Sequence, residues 1–203
     1  MHCSLIFFYA GLPAILLMNN KVLQKDFLSM PGTETPASSI KNPSNIIRVL
    51  GIDPGLASTG WGIVDFCSNR YRIVKYGVIE TPSDLPRGER LSAIYTRIQA
   101  VIEEYRPMEA GMETLYFAKN VSSAMAVAEA RGVVTLCLAQ NCLPLGEYTP
   151  NTIKQSVSGT ASADKKIVQE YVKLLLGLEV IPRPDHAADA LAAAITHIHL
   201  RKV

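Results

Sequence analysis

Neither sign of charge dominates this sequence. Twenty Lys and Arg stand against 18 Asp and Glu, a net charge of +2 at neutral pH. That balance supplies no global attraction to a polyanion, so any nucleic-acid contact must come from a local basic face. Cysteine is scarce: Cys3, Cys67, Cys137 and Cys142 form no CxxC pair and show no zinc-ligand spacing. They read as small buried or half-buried thiols of a reducing compartment. No apolar run is long enough to span a membrane. Residues 3–18 are apolar but broken by Pro13, short of the ~20 residues that a spanning helix needs. No Lys or Arg precedes them, and no small-x-small cleavage site follows, which argues against a signal peptide.

What is present is a core. Hydrophobic residues make up 48% of the 203 residues, which supports one folded domain plus a tail. Residues 1–46 read as that tail, apolar at first and then rich in Ser, Pro, Thr and Asn, as disordered linkers are. The expectation is that this leader lies upstream of the natural start, with Met18 or Met30 as alternative first residues. Mass spectrometry of the natural N-terminus decides it. Residues 47–203 form the domain, with no internal repeat and no low-complexity stretch.

The domain is organised around Val49-Leu50-Gly51-Ile52-Asp53-Pro54-Gly55. A short aliphatic run bounded by turn residues reads as a buried central strand. It ends in a carboxylate, and Pro-Gly then turns the chain back. Residues 60–65 alternate and fold back antiparallel, and residues 71–79 make a third strand. Apolar positions at helical spacing predict an amphipathic helix over 87–105, stopped before Pro107. Residues 110–113 form a short buried strand ending in a second carboxylate, Glu113. A long helix rich in Ala and Val covers 120–140, with Gly132 inside it, and a short strand covers 143–148. Thr149-Pro150 starts a helix, Ser162-Ala163-Asp164 opens another over 165–176, and Gly177 ends that one. A last helix over 186–199 is rich in Ala. Three strands, helix, strand, helix, strand, then helices predict an α/β chain: an antiparallel meander followed by parallel strands.

Asp53 and Glu113 both terminate strands, and the last helix begins His186-Ala187-Ala188-Asp189. Residues three apart share a helix face, so His186 and Asp189 point the same way. Ala187 and Ala188 let the helix lie close to the sheet. Three carboxylates and an imidazole meeting at one sheet edge would repel one another unless divalent cations joined them. Oxygen ligands suit Mg²⁺ or Mn²⁺, and the imidazole favours Mn²⁺ slightly. Two such ions about 4 Å apart activate water and stabilise a leaving oxygen in phosphodiester hydrolysis. Each residue also has a plainer reading. Asp53 and Glu113 could be strand-end charges in water, Asp189 a first-turn carboxylate favoured by the helix dipole, His186 a surface residue. Asp185, following Pro184, reads as an N-cap.

Together the residues resemble the RuvC family of Holliday-junction resolvases, of the ribonuclease H-like fold. The matching stretches are LGIDPGLASTGWGIV (50–64), METLYFAKNVSSAMAVAEARGVV (112–134), EYTPNTIKQSVSG (147–159), ASADKKIVQ (161–169) and DHAADALAAAITHIH (185–199). The resemblance implies a five-stranded mixed sheet flanked by helices on both faces. It also implies catalysis and metal binding by Asp53, Glu113, His186 and Asp189, two Mg²⁺ per subunit or Mn²⁺ in their place. Family members carry Asp or His at the position of His186, which leaves the metal preference open. Asp185 lies one residue out of register with the family's pair. The implied activity is symmetric paired nicking of four-way DNA junctions in recombination and repair, leaving 5′-phosphate and 3′-hydroxyl ends. The implied partners are the junction, a second copy of the chain in a homodimer, and the RuvA and RuvB branch-migration proteins; the implied compartment is the cytoplasm. Tyr116 or Phe117 falls where the family stacks an aromatic on junction bases. Lys119, Lys154, Lys165 and Lys166 are candidate phosphate contacts, and Lys165 matches a family position near the scissile phosphate. The helix over 120–140 is the expected dimer face.

Two other readings compete. Sugar kinases and actin-like ATPases share the fold and a superficially similar strand-turn, but they need two lobes and a second phosphate loop. A junction-binding module without catalysis would have no use for four filled acidic-site positions.

Overall fold

A computed structural model of the chain describes residues 46–114 and 121–201. The leader over 1–45 lies outside the described residues, and so do Tyr116, Phe117 and Lys119. The strands are β1 (Ile47–Asp53), β2 (Ser58–Cys67), β3 (Arg70–Glu80), β4 (Glu109–Glu113) and β5 (Leu145–Tyr148). The helices are α1 (Arg87–Tyr105), α2 (Val121–Gln140), α3 (Pro150–Ser158), α4 (Lys165–Leu175) and α5 (Asp185–Leu200). Strand order is β3-β2-β1-β4-β5. The first three pair antiparallel, while β4 runs parallel to β1 and to β5. This is the predicted meander followed by helical crossovers.

β1 shows why the chain needs helices on both faces. Its side chains alternate. Leu50 and Ile52 point into a core with Ile94, Ile98 and Ile102 of α1 and Val134, Cys137 and Leu138 of α2. Val49 points the other way, into a core with Ile153 and Val157 of α3, Val168 and Val172 of α4, and Leu191 and Ile195 of α5. Nearly every residue of α5 from Ala187 to Ile198 is buried. A helix apolar all round belongs inside, and α5 lies between the sheet and α3 and α4.

Glycine decides how close α5 comes. In register across four strands stand Gly62, Gly51, Gly111 and Gly146. A Cβ added at Gly51 would run into the carbonyl of Ala190, at Gly62 into Leu191, at Gly111 into Ala193 and His197, and at Gly146 into His197. The row is a trench in the sheet, and α5 lies in it. Gly60, which pairs with Asp53, admits the carbonyl of His186 in the same way.

Local signals hold at most element ends. Thr149 caps α3, its Oγ1 accepting from the Thr152 N–H at 3.1 Å, with Pro150 as the first helical residue. Asp164 caps α4 by accepting from the Ile167 N–H at 2.9 Å. Gly177 has a left-handed φ of +64° just past α4, the conformation glycine adopts without steric penalty. Asp185 departs from expectation. Pro184 occupies the N-cap position of α5, with no side-chain cap. Asp185 is already the first helical residue, and its carboxylate faces Arg183 and Lys165 instead.

Candidate metal centre

β1 and β4 are adjacent and parallel, with Ile52 opposite Met112 as their last pair. Asp53 and Glu113 are the next residues of each strand, so both carboxylates emerge at one sheet edge. The loop after Asp53 is held from behind. Buried Thr59 donates through Oγ1 to the Gly55 carbonyl at 2.7 Å, and the Thr81 N–H donates to the Ala57 carbonyl at 3.0 Å. Thr81 Oγ1 also donates to the Leu56 carbonyl, and Arg90 Nε donates to Thr81 Oγ1 at 2.9 Å. Neither threonine nor Arg90 stood out in the sequence, because their partners are loop carbonyls rather than a motif.

The trench brings the first turn of α5 to this edge. His186 Nδ1 lies 2.7 Å from Asp53 Oδ2. One ligand atom each from Asp53, His186 and Asp189 falls within 4.8 Å of the others, a spacing that suits a metal ion. Glu113 stands one strand over, outside that mutual spacing. It is still close enough that Asp53 and Asp189 act on its charge. Burial, reinforced by those two carboxylates, pushes Glu113 up to about 7 against the opposing pull of Lys165 and Lys154. The hydrogen bond that His186 donates to Asp53 raises the His186 pKa against the opposing effect of burial. Burial raises the Asp189 pKa, although Lys165 opposes it. Hard oxygen donors with one imidazole, crowded enough to repel one another, fit Mg²⁺ or Mn²⁺.

Lys165 Nζ donates to Asp189 Oδ2 at 2.8 Å and lies 3.5 Å from Asp185 Oδ2. Lys154 on α3 is half-buried and acts electrostatically on Glu113. Lys166 is exposed and enters no ion pair among the described residues. Four predicted residues thus share one edge, Lys165 and Lys154 reach it, and Lys166 faces solvent.

A mixed sheet of this order, with carboxylates at neighbouring strand ends and an acid–imidazole pair on the helix beneath, defines a ribonuclease H-like protein with a candidate metal centre. Residues 49–197 match the family model "Crossover junction endodeoxyribonuclease RuvC". The RuvC protein of Treponema denticola is 61% identical over 155 residues, 76% of this chain and 87% of that protein. That of Chloroflexus aurantiacus is 50% identical over 153 residues, 75% of this chain and 93% of the relative. Among solved structures, T. thermophilus RuvC in complex with a Holliday junction substrate superposes with a TM-score of 0.72 at 34% identity, over 75% of this chain and 93% of that one. The yeast mitochondrial Holliday junction resolvase, at 14% identity and a TM-score of 0.57 over 75% of this chain and 78% of its own, shares the fold. The chain belongs to the RuvC family.

Proposed function

We propose that this protein is a Holliday-junction resolvase, a metal-dependent endonuclease that nicks two strands of a four-way DNA junction symmetrically and leaves 5′-phosphate and 3′-hydroxyl ends. The observation that carries the reading is the meeting of Asp53, His186 and Asp189 within 4.8 Å, with Glu113 at the adjoining strand end. Asp53, Glu113, His186 and Asp189 would hold two Mg²⁺, or Mn²⁺ in their place. Bound there, such cations would lower the pKa of water and neutralise charge on a leaving oxygen.

The chain's own residues prepare that chemistry. Asp53 accepts a hydrogen bond from the His186 ring, which fixes both before DNA arrives. Glu113, its pKa pushed up to about 7 by burial and by Asp53 and Asp189, can hold or release a proton at this edge near neutral pH. Lys165 and Lys154 bring positive charge to the same edge, where a phosphate would lie. Tyr116, Phe117, Lys119 and Lys166 complete the proposed DNA surface.

The subunit acts as a homodimer through α2. Met125, Ala128, Gly132, Leu136 and Ala139 are exposed along one side of that helix. Met125 is 56% and Leu136 53% exposed, high for large apolar side chains, and such a stripe suits a twin helix. No helix among the described residues is long and apolar enough to cross a membrane. Action in the cytoplasm beside RuvA and RuvB rests on family membership.

The test is cleavage of a synthetic four-way junction with Mg²⁺ or Mn²⁺. Paired nicks are expected, abolished in Asp53→Asn and in Glu113→Gln with junction binding kept. Cleavage retained by both variants would overturn the site assignment.

A further inference from the structure

Arg131 and Glu129 are the two charged residues of a helix that is otherwise mostly small and apolar, VSSAMAVAEARGVVTLCLAQ, and Glu129 pairs with Arg87 of α1. The Arg131 side chain is only 16% exposed. One guanidinium nitrogen donates to the backbone carbonyl of Glu113, and the other meets Glu147 Oε1 on β5. Both partners belong to the sheet edge that carries the candidate site.

The geometry explains why such a residue is needed there. Pairing between β1 and β4 stops at Ile52 and Met112, because Pro54-Gly55 turns β1 away and Pro54 has no N–H to donate. On the other side β4 stays tied to β5, with the Thr114 N–H donating to the Tyr148 carbonyl at 2.7 Å. The Glu113 carbonyl lies past the last β1 pair, so the strand's hydrogen-bond ladder no longer holds it on that side. A strand-end carbonyl with no ladder partner leaves the residue room to shift, and its side chain shifts with it. Arg131 supplies the missing tether. Glu147 balances its charge and orients the fork, since an arginine presents fixed donors to two acceptors at once.

We propose that Arg131 is a positioning residue for Glu113, fixing the end of β4 so that the Glu113 carboxylate is presented to the metal centre. It acts through the Glu113 main chain. Because it rides on α2, any displacement of that helix reaches Glu113 directly. The inference rests on the reading of Glu113 as a metal ligand.

The test compares Arg131→Gln, Arg131→Lys, Glu147→Gln and Glu113→Gln with the natural sequence. Mn²⁺ binding is titrated calorimetrically, and junction cleavage is followed as a function of Mn²⁺. Residues that orient metal ligands change metal affinity or activity by ~10–100-fold when replaced. Arg131→Gln is expected to raise the Mn²⁺ concentration for half-saturation by about that factor, with junction affinity unchanged. Arg131→Lys, which reaches one partner at a time, recovers part of the loss. Glu147→Gln keeps the tether to Glu113 and loses little. Wild-type Mn²⁺ half-saturation in Arg131→Gln, with Glu113→Gln defective, overturns the inference. Wild-type Mn²⁺ binding in Glu113→Gln overturns the underlying site assignment instead. Should Arg131→Gln fail to fold, Arg131→Lys carries the comparison: a metal requirement equal to that of the natural sequence refutes the tether, and a raised one supports it.

Discussion

Replacing Gly60 by Ala should damage the site without touching any residue in it. Gly60 pairs with Asp53 across β1 and β2 and faces the start of α5. An added Cβ would fall about 1.1 Å short of the 3.0 Å below which such atoms essentially never approach another heavy atom, and the atom it meets is the His186 backbone carbonyl. Backbone cannot rotate aside as a side chain can. The first turn of α5 must therefore move from the sheet by about 1 Å, or β2 must bend by as much. His186 and Asp189 ride on that turn, while Asp53 stays with β1. The 2.7 Å contact between His186 and Asp53 would open, and the 4.8 Å cluster would spread.

Overpacking of this kind destabilises by about 1–3 kcal/mol. A misplacement of about 1 Å at a reacting site can cost ~100-fold in rate. Gly60→Ala should therefore lose a few degrees of Tm and about two orders of magnitude in junction cleavage, with Mn²⁺ bound more weakly. Gly88→Ala is the control. It lies in the first turn of α1, where an added Cβ meets nothing within 4 Å, so Tm should hold or rise slightly. The measurements are thermal unfolding, calorimetric Mn²⁺ titration and single-turnover cleavage of a synthetic junction. A Gly60→Ala protein with wild-type Tm and wild-type rate would refute the claim that α5 sits against bare backbone at this point.

Metal binding should depend on pH through Glu113, whose folded pKa of about 7 lies above its ordinary value because of burial and its carboxylate neighbours. Between those two values the folded chain holds a proton that the unfolded chain has lost, so without metal its stability falls as pH rises through that window. A cation must displace the same proton, so Mn²⁺ affinity should climb as pH rises from 5.5 through about 7, and climb less steeply in Glu113→Gln, where His186, its pKa also raised, still has a proton to lose; an unchanged slope in that variant would exclude Glu113 as a source. Asp65, with its side chain 3% exposed, is bonded by Arg48 at 2.6 Å and Arg72 at 2.9 Å. Burial would raise its pKa, but the two arginines outweigh it and hold the carboxyl below its usual value. Its contribution is fully present above the unfolded value of about 4 and is lost as pH falls below it. Asp65→Asn should therefore unfold more easily at neutral pH, by about 1–3 kcal/mol given that Arg72 is half exposed, and the difference should shrink in acid denaturation. Junction affinity should fall steeply with salt if the lysines contact phosphates, and a flat dependence in filter binding would remove the basic face.

The strand-end acids were legible because each depends on a local pattern. An aliphatic run stopping at Asp53 and another at Glu113 state where the strands leave the core, and His186 with Asp189 state a helix face. Alternation and capping residues likewise marked the sheet and the start of α3. The turn at Ser68 and Asn69, both left-handed with φ of 50° and 61°, was not marked, because neither residue is a glycine. Asp185 was misplaced by one position, since Pro184 can itself stand at an N-cap and leave the next residue inside the helix.

The rest was illegible because it depends on residues from four strands lining up. Gly51, Gly62, Gly111 and Gly146 are unremarkable one by one; only strand register makes them a row. The signal was there as a glycine in each of four short apolar segments, facing a helix with Ala at 187, 188, 190 and 192–194. Read jointly, those two facts fix the depth at which α5 lies. Depth in turn decides whether His186 reaches Asp53 at all, since a helix riding on ordinary side chains would hold its first turn several ångströms further off. The carboxylates therefore form a cluster because the sheet beneath the helix has no side chains at those points, and site and packing are set by the same residues. Chemistry at this edge should accordingly be more sensitive to a methyl group placed under α5 than to a charge removed from its exposed end, as in Asp185→Asn.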